Sequence, residues 1–255
     1  MTGQPPKRHE PQAIRGTLDE FRYAVGPAGI HVVFQPIVDL RTREMFALET
    51  LARCRTPGFE SPARLFEDAV AKGYCGRLGR EIREKMIAAD PGVPVFANVH
   101  PEELVQRFIT LPDDPIFSYT QPIYLEITEA VPFSHFDHCR AVLEEIKTRG
   151  GVFLVIDDLG AGYSNLLRIV DLEPSIVKLD MQLVRGIDRR QRQQRLVRSI
   201  ISMCEEQGAK VVAEGIETVD ELNAVIDCGA HYGQGYLLAR PAFPPPAVIW
   251  PAGGR

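Results

Sequence analysis

The chain has 255 residues, of which 45% are apolar, 25% charged and 8% aromatic, with 29 basic against 34 acidic side chains and a net charge of −5. Those are globular proportions, and a chain of this length buries a full core, so disorder, collagen and a stapled miniprotein are excluded. The acidic balance argues against broad nucleic-acid or anionic-membrane binding.

Residues 1–26 carry Pro5, Pro6, Lys7 and Arg8 with little apolar periodicity, and read as a tail with a leading helix from Leu18 to Val25. They lack the apolar stretch of a secretory signal, and no run approaches the roughly 20 apolar residues of a bilayer span, so a cytoplasmic location is expected. From there the chain alternates. β-rich runs stand at 30–38, 45–53, 93–99, 122–127, 152–157, 175–179, 210–214 and 231–237, with amphipathic helical stretches at 61–73, 76–89, 101–109, 136–149, 163–170, 193–207 and 218–228. Residues 241–255 (PAFPPPAVIWPAGGR) are Pro-rich and read as extended over the surface rather than as a partner-docking motif. The expected organisation is a tail at 1–26, one domain at 27–245 and a Pro-rich end at 246–255.

Continuous apolar strands separated by helices mean a parallel sheet covered on its faces. Eight such strands fit a closed α/β (β/α)8 TIM-like barrel better than an open sheet. The link from Asp39 to Glu44 is too short for a crossover helix, so the first two strands are expected to pair antiparallel, giving one antiparallel strand near the N-terminus. Five cysteines (Cys54, Cys75, Cys139, Cys204, Cys228), odd in number and without a CxxC pair, read as reduced, buried thiols rather than a disulfide or zinc site.

The chemistry collects where strands end. The second run carries Glu49, the third ends in Asn98, the fourth in Glu126 and the fifth in Asp157 and Asp158. The sixth ends in Lys178, the seventh in Glu214, and the eighth carries Gln234. One acid after a strand is usually a helix cap, but in a parallel barrel all these ends open on one face, where active sites lie. Five carboxylates against Lys178 leave −4 in one cleft, so either acids protonate or cations compensate. All-oxygen donors suit Mg²⁺, Mn²⁺ or Ca²⁺, and adjacent aspartates suit a metal pair of the kind used for displacement at phosphorus.

The segments FQPIVDLRTREMFALETLAR (34–53), FANV (96–99), LEITE (125–129), IDDLGAGYSN (156–165), VKLD (177–180), AEGIET (213–218) and GQGYLLARP (233–241) closely resemble the EAL-domain cyclic di-GMP phosphodiesterases, in one register over about 30–245. The resemblance implies a barrel with one reversed strand and hydrolysis of cyclic di-GMP to linear pGpG with two Mg²⁺ or Mn²⁺ ions, Ca²⁺ being inhibitory. It implies Glu49, Asn98, Glu126 and Asp157 as ligands of one metal and Asp157, Asp158 and Glu214 of the second. Glu49, Lys178 and Glu214 would be catalytic, with Lys178 contacting the attacking water. Gln35, Leu51, Arg53 and Gln234 would bind or orient substrate, and Glu129 would steady the loop after the fifth strand. A homodimer and a regulatory protein partner are family habits.

Three departures stand out. The family's Glu-Ala-Leu reads Glu49-Thr50-Leu51, its Leu-Leu-Arg-Trp reads Leu51-Ala52-Arg53-Cys54, and its Asp-Phe-Gly-Thr-Gly reads Asp158-Leu159-Gly160-Ala161-Gly162. None removes an implied ligand. The chief rival is a catalytically impaired cyclic di-GMP receptor or interaction module on the same fold. A two-carboxylate glycosidase is a second, and it would need no metal. His135 and His138 read as capping or solvated residues, and the basic run from Arg185 to Arg198 as a solvated loop and helix face.

Overall fold

Two ten-residue strands, β1 (Ile30–Asp39), rich in β-branched residues, and β2 (Met45–Cys54), pair antiparallel from Ile30↔Cys54 to Val38↔Met45. Asp39 shapes the turn between them, its carboxylate accepting hydrogen bonds from the amides of Arg41 and Thr42 at 2.9 Å. The computed structural model describes residues 29–128, 136–149, 151–161 and 166–255. The expected tail and leading helix, Glu129, His135, Gly162 and Asn165 lie outside them, as does the side chain of His138.

From β2 onward every neighbour is parallel: β3 (Val95–Asn98), β4 (Ile123–Thr128), β5 (Val152–Leu159), β6 (Ile176–Leu179), β7 (Lys210–Ala213) and β8 (Tyr232–Gly233). β1 then pairs antiparallel with β8 and closes the eight-stranded barrel, which makes β1 the reversed strand. Helices cover the outside: α1 (Pro62–Ala71), α2 (Cys75–Ala89), α3 (Pro101–Val105), α4 (Phe136–Thr148), α5 (Leu167–Leu172), α6 (Met181–Val184), α7 (Gln191–Glu206) and α8 (Val219–Cys228). Ile37, Ala47, Phe96, Val155, Ile176, Val212 and Tyr232 fill the barrel interior below its mouth. A larger cluster, including Phe34, Leu125, Ile156 and Val211, seals the helix–sheet layer. Each such buried side chain is worth roughly 1.5–3 kcal/mol.

Some expected bounds need correction. The eighth run, expected over 231–237, is a strand only at Tyr232–Gly233. At Gly235 the chain crosses the backbone of Ile216 so closely that a Cβ would lie 2.1 Å from a carbonyl oxygen, and no strand continues through that contact. The stretch 101–109 is a five-residue helix followed by a 3₁₀ turn at Phe108–Thr110. Of the helix expected over 163–170, residues 163–165 lie outside the described residues; among those described it runs over Leu167–Leu172, two residues past the expected end.

The Pro-rich end continues the seam that the short β8 leaves open. Phe34 and Ala242 exchange backbone hydrogen bonds of 2.9 and 3.0 Å, and Ile249 N–H donates to the carbonyl of Leu238. Trp250 packs against the outer core beneath the Arg43 guanidinium, and Arg255 pairs with Asp227. All five cysteines are buried, and none is joined in a disulfide. No helix among the described residues is long and apolar enough to cross a membrane.

Candidate active site

Pleating and register carry the strand-end polar groups to the mouth of the barrel. Glu49 stands opposite Gln35 on β1, Asn98 beside Glu126, and Lys178 within β6. Lys178 is the centre. Its Nζ lies 2.5 Å from Glu126 Oε1, 2.7 Å from Glu214 Oε1, 3.4 Å from Asp157 Oδ1 and 3.6 Å from Glu49 Oε2, with the side chain 1% exposed. Gln234 Nε2 donates to Glu49 Oε2 at 2.6 Å, and Asn98 Nδ2 to Glu49 Oε1 at 3.4 Å. Asp157, Asp158 and Glu214 each present an oxygen within 4.8 Å of the others.

Local backbone geometry makes this possible. Asp158 adopts φ +59°, a left-handed conformation costly for a residue with a Cβ, and its amide donates to Asp157 Oδ1 at 2.9 Å. Gly160 follows at φ +107°, with Leu183 of α6 2.5 Å from where a Cβ would stand. Asp180 caps α6 by accepting from the Gln182 amide.

Charge in this mouth is unbalanced. Burial, then the neighbouring acids, pushes the Glu214 carboxyl up to about 8, and burial with Asp157 pushes Asp158 up to about 6. Glu126 is raised well above the ordinary range, by burial first and despite Lys178. Lys178 stays protonated: burial works against its charge, but Asp157, Glu126, Glu214 and Glu49 together outweigh it. Glu126 Oε1 meets Nζ off the angle of a hydrogen bond, and Oε2 finds no donor among the described residues. One lysine cannot neutralise five carboxylates. An all-oxygen donor set with an orphaned, buried carboxylate oxygen fits hard divalent cations.

A cavity of about 840 Å³ opens beside the acids, lined by Glu49, Asn98 and Asp158 together with Leu51 and Arg53. Arg53 is half-buried and donates to the carbonyl of its neighbour Ala52. Gln35 is buried and donates to the Ala239 carbonyl at 3.1 Å; it stands beside Glu49, its cross-strand partner, and does not line this cavity. Thr50 is buried too, and its hydroxyl finds no partner among the described residues.

Sequence reasoning missed a second polar system below the cavity. Arg83 of α2 pairs with Glu103 at 2.6 Å, and through Nε and Nη2 with both oxygens of Asp114 at 3.0 and 2.8 Å. All three side chains are at most 2% exposed. Glu103 also accepts from the His100 amide, closing the start of α3.

A family model described as EAL domain matches residues 19–241. The cyclic di-GMP phosphodiesterase PA2567 of Pseudomonas aeruginosa is 30% identical over 265 residues, which cover 96% of this chain and 44% of that protein. The probable cyclic di-GMP phosphodiesterase PdeI of Escherichia coli is 28% identical, over 92% of this chain and 31% of its own length. The chain thus spans less than half the length of these curated relatives. Among solved structures, the manganese and cyclic di-GMP complex of Klebsiella pneumoniae BlrP1 matches with a TM-score of 0.75 at 28% identity, over 85% of this chain and 57% of that one. A standalone EAL protein from Vibrio cholerae, bound to cyclic di-GMP, matches at 0.75 and 28%, over 88% and 97%.

Proposed function

The chain belongs to the EAL domain family, and on that premise we propose that it hydrolyses cyclic di-GMP to linear pGpG in a reaction that depends on Mg²⁺ or Mn²⁺. The observation that carries this reading is the convergence of Glu49, Glu126, Asp157 and Glu214 on Lys178, with Asp158 and Asn98 alongside. Every oxygen donor the resemblance implies is present. A receptor that had lost catalysis would be expected to lack some of them.

Glu49, Asn98, Glu126 and Asp157 would hold one cation, and Asp157, Asp158 and Glu214 a second. Bound there, divalent cations supply Lewis acidity to phosphoryl oxygens and lower the pKa of water. The chain's own groups do the rest. Lys178 brings a fixed positive charge to the entering water oxygen and the phosphoryl charge that develops. Gln234 holds Glu49 in place from 2.6 Å. Arg53, on the cavity wall, suits a phosphate oxygen, and its bond to the Ala52 carbonyl uses Nη1 alone among the donors of its fork. Gln35, the cross-strand partner of Glu49, would contact the dinucleotide, and Glu129 would steady the loop after β5, as the resemblance implies. The balance is that of a hydrolysis: a water oxygen bonds to phosphorus, the P–O3′ bond breaks, and the 3′ oxygen takes a proton.

The test is turnover of cyclic di-GMP with the product identified by chromatography. The expected result is pGpG with Mn²⁺ or Mg²⁺, none with EDTA, and binding without turnover in Ca²⁺. Binding in Mn²⁺ without product would make the chain a receptor, and hydrolysis undiminished by EDTA would remove the metals from the reaction.

A further inference from the structure

The cavity beside the acids carries an aromatic wall that none of these roles uses. Phe66 of α1 and His100, the residue that caps α3, stack with ring centroids 5.8 Å apart and planes 10° from parallel. Both are half-buried and line the cavity that reaches Glu49, Asn98 and Asp158. His100 Nδ1 accepts from the Glu102 amide at 3.1 Å. A neutral imidazole that accepts at Nδ1 carries its proton on Nε2, and among the described residues no acceptor meets that Nε2–H. The ring is held by a rigid mount: the His100 amide donates to Glu103, which the buried Arg83 ties to Asp114.

We infer that the Phe66–His100 pair is a purine subsite of this cavity, in which a base lies along the aromatic wall and His100 Nε2–H donates to an acceptor on the base's edge. The inference rests on the cyclic di-GMP reading and names the two groups that would choose the base. Stacking on an aromatic ring is tolerant of base identity, so Phe66 supplies affinity. A donor fixed at the O6 position is selective, because guanine presents an acceptor there and adenine an amino donor, whereas N7 is common to both. His100 therefore favours guanine over adenine.

His100→Asn keeps an oxygen able to cap α3 while removing the ring and its Nε2–H. Phe66→Leu keeps apolar volume and removes the aromatic face. Both are assayed with Mn²⁺ on cyclic di-GMP and cyclic di-AMP, alongside thermal melting and calorimetric Mn²⁺ titration. The expected result is a rise of about tenfold in KM for cyclic di-GMP in each variant, with kcat much less affected and Mn²⁺ affinity and melting held. In His100→Asn the preference for cyclic di-GMP over cyclic di-AMP also narrows about tenfold. Unmoved KM and preference in both folded variants, or a fall in kcat and Mn²⁺ affinity instead, would overturn the inference alone. Wild-type protein that neither binds nor hydrolyses cyclic di-GMP would overturn the reading beneath it.

Discussion

Lys178 is a buried cation kept charged by four carboxylates, and it occupies the oxygens a divalent cation needs. Those two facts separate its roles. An ammonium 2.5–2.7 Å from Glu126 and Glu214 repels an incoming cation as well as steering a water. Lys178→Met, close in length and uncharged, is expected to lower turnover of cyclic di-GMP by at least about 100-fold. Mn²⁺ affinity should hold or rise, because a competitor for the same oxygens has gone. Steady-state kinetics and calorimetry on one preparation check both. Loss of Mn²⁺ binding in the variant would show instead that the lysine props the acids in place.

At the scale of the element, the informative residue is Gly79, in the interior of α2. Helix propensity alone favours alanine there by about 1 kcal/mol. The structure reverses that preference, since a Cβ at Gly79 would lie 1.8 Å from Glu103 Oε2 and 2.2 Å from its carboxyl carbon. Gly79 stands one turn before Arg83 and clears the space through which Glu103 reaches it. Gly79→Ala should displace that carboxylate and break a buried ion pair, which costs about 3–5 kcal/mol before the propensity gain. A net loss of roughly 2–4 kcal/mol lowers Tm by roughly 5–15 °C in a chain of this size. A thermal melt decides the sign, and an unchanged or higher Tm would mean that Glu103 moves aside without loss. The triad could not have been read beforehand: Arg83, Glu103 and Asp114 each sit in a stretch that looks like an ordinary polar helix face or loop, and no spacing rule links residues 20 and 31 apart.

Across the whole molecule, the barrel was legible because parallel strands are apolar on both faces, so polar residues at their ends stand out, and topology alone gathers those ends. Glu49, Glu126, Asp157, Lys178 and Glu214 emerge from that logic and meet within 3.6 Å of one nitrogen. What escaped depends on close approach between distant segments: the crossing of Gly235 over Ile216, the seam between Phe34 and Ala242, and the Phe66–His100 stack. The same gathering of acids gives stability an unusual pH dependence. Glu214 rises from its ordinary 4.5 to about 8 on folding, so between those values the folded chain without metal binds a proton the unfolded chain has shed. Stability from that proton is full below 4.5 and is lost as pH climbs through 8. Asp158, raised from 3.8 to about 6, adds to the same trend at lower pH. Burial lowers the pKa of His31, His100 and His231, which works the other way, but their contribution is complete once pH passes about 6.5. Between about pH 7 and 8.5 the acids therefore dominate. In EDTA, unfolding free energy should fall by about 1 kcal/mol per pH unit there, or Tm by about 2–4 °C. With Mn²⁺ the trend should flatten or reverse, since ligands must be deprotonated to bind and a bound ion stabilises the fold by an amount that grows with the logarithm of the ion concentration over its Kd. Melting curves in EDTA and in Mn²⁺ across this range measure both slopes; a level curve in EDTA, or a Mn²⁺ stabilisation that shrinks as pH rises, would mean that protons and cations do not compete for these carboxyls.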